Sequence, residues 1–178
     1  MKLQSLIALL LIASYADNTP ARGLKDSDLQ MQGQVSYVSD GDTLWLSGPD
    51  GKRHRVRFEG IDAPEICQAW GKESRAALQA KVRGQTVTVY AGRRDDYGRW
   101  LGKVSINEAD LGAWMVENGH AWSYRYRWSG GPYAGQEQSA LNARRGLFAL
   151  PSPERPGAFR KRNGPCPMPP PKKPVASK

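Results

Sequence analysis

The stretch from Gln34 to Glu65 reads QVSYVSDGDTLWLSGPDGKRHRVRFEGIDAPE, and its punctuation decides the fold. Gln34–Ser39 and Thr43–Ser47 read as a first strand pair around Asp40-Gly41-Asp42. Gly48-Pro49-Asp50-Gly51 is a strong turn signal leading into a third strand, Arg53–Phe58. In that strand Arg53, Arg55 and Arg57 alternate with His54, Val56 and Phe58, so a period of two sets a cationic face against a mostly buried one. Outward from it, Thr86–Tyr90 and Trp100–Ile106 supply two more strands. A helical pattern from about Ala69 to Val82 stops at Gly84. A second starts near Asn107, with Asp110 three residues on as a box-like cap, places Leu111, Trp114 and Met115 on one stripe, and stops at Gly119. Ala134–Arg145 is the third, closed by Gly146. Five short strands with one helix inserted after the third and two at the end do not make a parallel α/β sheet. They suit a small, strongly bent barrel with helices packed on it, a mainly β (α+β) fold.

The chain has 178 residues, enough for one ordinary domain with extensions. Two cysteines exclude a disulfide-dense miniature scaffold, and two histidines exclude a His-built zinc cage or a histidine-rich site. Any metal here is held largely by oxygen. A formal charge of +9 favours a polyanionic partner, because basic surfaces concentrate phosphate.

The ends differ from the middle. Residues 1–16, MKLQSLIALLLIASYA, carry Lys2, an apolar run from Leu6 to Ala13 and small residues Ser14 and Ala16, which reads as a secretory signal. The run is much shorter than the roughly 20 residues that span a bilayer. The expected product after cleavage is a protein in the periplasm or the medium, not held in a membrane. Residues 17–30 read as a linker, 31–150 as the domain and 151–178 as a basic, proline-rich tail holding 7 Lys+Arg against 1 Asp+Glu and 9 of the 13 prolines. Such a composition favours extended, solvated chain. The tail is then either a solubilising end or an electrostatic tether for nucleic acid through Arg160-Lys161-Arg162 and Lys172-Lys173. Cys67 and Cys166 are either two free thiols or, in an exported chain, a disulfide closing a loop of about 100 residues that pins the start of the tail.

Chemistry concentrates at two loops. Asp40-Gly41-Asp42-Thr43 sets two carboxylates around a glycine, and twenty residues after Asp42 comes Ile61-Asp62-Ala63-Pro64-Glu65. Each piece alone reads as ordinary turn or helix-start chemistry. Together they bring four carboxylates to the ends of neighbouring strands, a set that repels itself unless a hard cation sits among the oxygens. Arg57 precedes Asp62 by five positions, and Arg99 lies in Asp95-Asp96-Tyr97-Gly98-Arg99 at the turn opening the fifth strand. Oxygen ligands with two planar guanidiniums are what phosphodiester hydrolysis calls for. A metal polarises one phosphate oxygen, guanidiniums grip the others, and a spare carboxylate handles the attacking water. His54 is expected to be partly buried and structural, and His120, after the helix-stopping Gly119, to be a surface or capping residue.

Several motifs stand in order: Ser39-Asp40-Gly41-Asp42-Thr43, Arg57 through Ile61-Asp62-Ala63-Pro64-Glu65, and Asp96-Tyr97-Gly98-Arg99. Leu111, Gly119-His120-Ala121 with Tyr124 and Tyr126, and Ala140 to Arg145-Gly146-Leu147-Phe148 follow them. On these the sequence resembles the thermonuclease family, the staphylococcal-nuclease-like proteins, over roughly Gln34 to Phe148. The resemblance implies a five-stranded OB-fold barrel with three α-helices. It implies one Ca2+ ion on Asp42, Asp62 and the main-chain carbonyl of Ala63, with Asp40 in the outer shell. Glu65 falls at the position that handles the nucleophilic water, Arg57 and Arg99 at the phosphate-binding positions, and Tyr97 with either Tyr124 or Tyr126 at tyrosines lining the nucleotide pocket. The implied activity is hydrolysis of DNA and RNA by a monomer with little sequence choice, leaving 3′-phosphates. The alternative is an OB module that binds single-stranded nucleic acid without catalysis.

Overall fold

The structure, a computed structural model, describes residues 29–167. The expected signal segment 1–16, residues 17–28 of the linker and the end of the tail with Lys172-Lys173 lie outside the described residues. No helix among those described is long and apolar enough to cross a membrane.

Five strands carry the barrel: β1 (Leu29–Asp40), β2 (Thr43–Ser47), β3 (Arg53–Phe58), β5 (Thr86–Arg94) and β6 (Trp100–Ile106). Two-residue strands β4 (Ile61–Asp62), β7 (Ala109–Asp110) and β8 (Trp122–Ser123) add to its rim. The order is β3-β2-β1-β5-β6-β7, antiparallel throughout except that β3 also pairs parallel with β6 and closes the cylinder. Closure by five strands needs sharp bending, and the ladder supplies it through register shifts at Val35/Tyr37 and Val38/Asp40 in β1 and at Ala91/Arg93 in β5.

Alternation in the strands fills the interior. Leu44, Leu46, Val56, Val87, Val89 and Ala91 are fully buried and meet Phe58 and Val104. Helix α1 (Gly71–Val82) adds Leu78 and Val82, and α2 (Leu111–Glu117) adds Leu111, Met115 and Val116. Each large aliphatic side chain buried this way contributes about 1.5–3 kcal/mol. A second, smaller cluster joins Trp122 to Ala140 of α3 (Ala134–Asn142) and to Leu147 and Phe148 of a 3-10 turn, Gly146–Ala149, with Trp70 and Leu150 against it.

Two expectations are corrected. The second helix does not start near Asn107: Asn107 and Glu108 take left-handed φ values of 48° and 68° in the turn between β6 and β7. The helix begins at Leu111, and the Asp110 side chain caps it by accepting from the Ala113 N–H at 3.1 Å. Asparagine tolerates the left-handed region, so its signal here was for a turn. The start of the tail is not extended chain. Residues Pro156–Asn163 form a fourth helix, α4, with Pro156 in its first turn and Gly164 closing it at φ 72°. Proline inside the start and glycine past the end are the ordinary marks of a short helix.

Candidate active site

β1 and β2 are joined by the two-residue turn Gly41–Asp42, with Asp40 paired to Thr43 across the ladder. The Asp42 N–H donates to Asp40 Oδ1 at 3.0 Å, which holds the two carboxylates on one side of the turn. Glycine is required between them. A Cβ on Gly41 would overlap the Ser74 hydroxyl and stand 2.8 Å from the Ala63 Cβ. That contact seats the first acidic loop on the second, and the second answers it: the Ala63 N–H donates to Asp42 Oδ2 at 2.9 Å. Asp42 is 2% exposed and Asp62 8%. Asp62 is fixed by the pairing of β4 with β8, which sets it opposite Trp122.

Arg57 reaches both loops. Cross-strand pairing of Thr43 with Arg57 places its side chain over the turn. Its Nη1 donates to Asp42 Oδ1 at 2.7 Å and its Nη2 to Asp62 Oδ1 at 2.9 Å. The Thr43 hydroxyl donates to the same Asp42 oxygen at 3.0 Å. Burial and charge crowding together shift the ionisable groups here. Burial first, and then the neighbouring Asp42 charge, pushes the Asp40 carboxyl up to about 8. Asp62 is raised by the same two causes in spite of Arg57 and Arg160. The Asp42 charge raises the Arg57 guanidinium further above its usual range against the opposing effect of burial.

Glu65 leaves the second loop just before α1. Its main-chain N–H donates to Gln68 Oε1 at 3.1 Å, and a Cβ on Gly71 would overlap its carbonyl, so the segment folds back tightly on itself. Its carboxylate Oε1 accepts from Arg160 Nη1 at 2.6 Å. The same guanidinium lies 3.3 Å from both oxygens of Asp62. Arg160 belongs to α4, so the tail enters the acidic set directly.

The structure brings Asp40, Asp42, Arg57, Asp62, Ala63 and Glu65 together. Arg99 is placed near but engaged elsewhere. It precedes β6, whose Trp100 and Leu101 pair with Val56 and Arg57, so the sheet sets its backbone two residues from the level of Arg57. Its guanidinium, however, grips Asp95, with Nε and Nη2 each 2.7 Å from Oδ2, and lies over the Tyr97 ring at 5.3 Å. Tyr97 is 81% exposed, and Tyr124 and Tyr126 are exposed on the segment after β8.

Among the described residues no three His, Cys, Asp or Glu side chains are disposed to hold a metal ion. The expected ligand set has only two carboxylates and a peptide carbonyl, and in kind it fits a hard divalent cation. The donors are all oxygen, and the Asp40 and Asp62 carboxyls are raised first by burial and then by the Asp42 charge, so a cation among these oxygens would offset both.

His120 is corrected. It is half-buried, stacked 6.4 Å from Trp70 and tilted against Trp114 at 5.7 Å, and its carbonyl accepts from the Ser74 hydroxyl at 2.6 Å. The glycine before it turns the chain inward toward the two indoles. Two further groups escaped the sequence. Glu137 is buried, accepts from the Ser123 N–H at 2.8 Å, and pairs with Arg125 and Arg155. Arg160 carried a signal only as part of a basic run. The mark that could have found it is Pro156 followed by Gly164, with Cys166 two residues further on.

A family profile described as staphylococcal nuclease homologue matches residues 55–149. The probable staphylococcal-like nuclease CAN2 of Oryza sativa subsp. japonica is 37% identical over 110 residues, covering 62% of this chain and 30% of that protein. The probable staphylococcal-like nuclease CAN1 of the same plant is 32% identical over 156 residues, 84% of this chain and 47% of its own length. The chain thus spans less than half of either rice protein. An uncharacterized endonuclease of Escherichia coli O157:H7 is 35% identical over 133 residues, 74% of this chain and 86% of that protein. With the barrel, the paired acidic loops and these matches together, the chain belongs to the family of staphylococcal nuclease homologues.

Proposed function

We propose that this chain is a metal-dependent phosphodiesterase that cuts DNA and RNA with little sequence preference and leaves 3′-phosphates. The observation that carries the reading is the Arg57 guanidinium spanning Asp42 and Asp62, with Glu65 three residues beyond Asp62. Asp42, Asp62 and the Ala63 carbonyl would hold one Ca2+ ion, with Asp40 behind them. A cation bound there supplies Lewis-acid charge to a phosphate oxygen.

The protein's own groups do the rest. Arg57 spends one N–H on each aspartate, and a guanidinium has about five, so the remainder can bind a phosphate and the negative charge that grows on it during attack. Glu65, at the mouth of the same loop, accepts a proton from the attacking water. Arg99 would turn from Asp95 to the phosphate when substrate arrives. Tyr97, Tyr124 and Tyr126, exposed and apolar-faced, would stack unpaired bases, which favours single-stranded or frayed substrate. A site that grips phosphates reads no base edges, so little sequence preference follows.

Export to the periplasm or the medium is part of the reading. The apolar run Leu6–Ala13 supports it, and so does the Cys67–Cys166 disulfide, a bond at home in oxidising compartments. The test is digestion of single-stranded and duplex DNA and of RNA with calcium, with magnesium and with chelator. Calcium-dependent cleavage abolished by chelator is expected. Binding without cleavage under every cation would leave the OB binding module as the function.

A further inference from the structure

The family profile ends at residue 149, yet one of the shortest ionic contacts in the acidic set comes from residue 160. Three fastenings bring it there. Cys166 is joined to Cys67, with Cα atoms 5.9 Å apart, immediately after the loop that carries Glu65. Gln68, which holds the Glu65 N–H, also donates to the Glu154 carbonyl at 2.7 Å. Arg155, the residue before α4, pairs with buried Glu137 at 2.7 Å and lies 4.3 Å from the Trp122 ring. A helix of eight residues anchored on both sides has little freedom, and Arg160 projects from its middle onto Asp62 and Glu65.

We propose that Arg160 is a positioning residue for the reaction read above: it clamps the Glu65 carboxylate beside Asp62, and the Cys67–Cys166 disulfide is the tether that delivers it. The inference rests on the nuclease reading. The distances rank its partners. Glu65 is held at 2.6 Å through Oε1, whereas both Asp62 oxygens stand at 3.3 Å. Arg160 can therefore yield Asp62 to a cation and keep Glu65. Among the described residues Arg160 is the hydrogen-bond partner of the Glu65 carboxylate, and the contact is to Oε1, which leaves Oε2 for water. Without the clamp, Glu65 is a partly exposed side chain next to another carboxylate, and like charges push it away from the place where water must lie.

The experiment measures steady-state cleavage of an oligonucleotide by the full chain and by Arg160→Gln, Arg160→Lys and the double variant Cys67→Ser/Cys166→Ser, with thermal unfolding to show that each is folded. Partners that orient a reactive group are commonly worth about 10–100-fold, so Arg160→Gln should lower kcat by that factor and leave KM unchanged. Lysine should restore part of the loss. The double variant should show the same loss, and adding Arg160→Gln to it should change nothing more. Faster turnover in Arg160→Gln would overturn the proposal, since Arg160 would then be a plug competing with the cation. A change confined to KM would also overturn it, since Arg160 would then bind substrate directly.

A second measurement needs no turnover. Nitrogen NMR of the Arg160 guanidinium should show hindered rotation in the wild type and release in Glu65→Gln and in the double variant. Free rotation in the wild type ends the proposal even if the protein cuts nucleic acid. Failure of the wild type to cut under any cation refutes the nuclease reading instead, and the NMR result then decides the clamp by itself.

Discussion

Arg57 and Arg160 reach the same aspartate by different routes. Arg57 stands on a barrel strand paired with β2 on one side and β6 on the other, so its direction is set by two hydrogen-bonded ladders and by the closure of the sheet. Arg160 stands on a short helix outside the barrel, held by one disulfide, by Arg155 on Glu137 and by Gln68 on the Glu154 carbonyl. Ladder geometry cannot be undone without unfolding the domain, whereas a tether can be cut and leave the barrel standing. The first arginine is thus part of the fold, and the second is an attachment to it.

The largest effect that separates them should come from Arg57→Ala. Turnover should fall by about 10²–10³, the usual value of one donor to transition-state charge. Stability should fall as well, by about 3 kcal/mol, because Asp42 and Asp62 lose their shared cation while still buried. Kinetics and chemical denaturation of the variant measure both. A loss of turnover no greater than that of Arg160→Gln would erase the distinction between the two routes. Reduction of the disulfide should act next. The bond closes a loop of sequence separation 99 that contains most of the domain, so thermal unfolding with and without reductant should show a loss of about 2–4 kcal/mol. An unchanged transition would mean that α4 stays docked through its ion pairs and the Gln68 hydrogen bond without the disulfide.

The same contrast governs what the sequence let through. Barrel strands were legible because burial on one face and solvent on the other imposes a period of two, and the arginine alternation of Arg53–Phe58 puts Arg57 on the correct side before any coordinates. The acidic loops were legible because turn residues and carboxylates occupy fixed offsets from strand ends. Glu137 was not legible, because nothing local distinguishes a glutamate that accepts from the buried Ser123 N–H from one on a solvated helix face. The tail was misread for a related reason. Its nine prolines and seven cations describe an average composition, while the short segment from Pro156 to Gly164 obeys capping rules that the average hides. Trp70 makes the same point: it takes φ 69° at the start of α1, a conformation bulky residues rarely adopt. Only the packing of its ring near His120 and the second cluster makes sense of it.

The smallest expected effect probes the boundary between the two regions, where His120 lies between Trp70 and Trp114 beside the cluster that supports the tail. Burial holds its imidazole below the ordinary 6.5. The unfolded chain therefore takes up this proton at a higher pH than the folded one. Stability from the neutral ring is complete above 6.5 and declines as pH falls through the interval beneath it. Asp40 and Asp62 act with the opposite sign. Their carboxyls are raised on folding, so the folded state gains stability as pH falls, from about 8 downward for Asp40. A wild-type stability curve mixes the two signs and reports neither. The difference between wild type and His120→Gln removes the carboxylates, which both proteins share, and should rise with pH up to about 6.5 and then level off. A flat difference would mean that water reaches the imidazole through the indoles, and the second cluster would then be too loose to act as the fixed floor on which α4 and Arg160 are set.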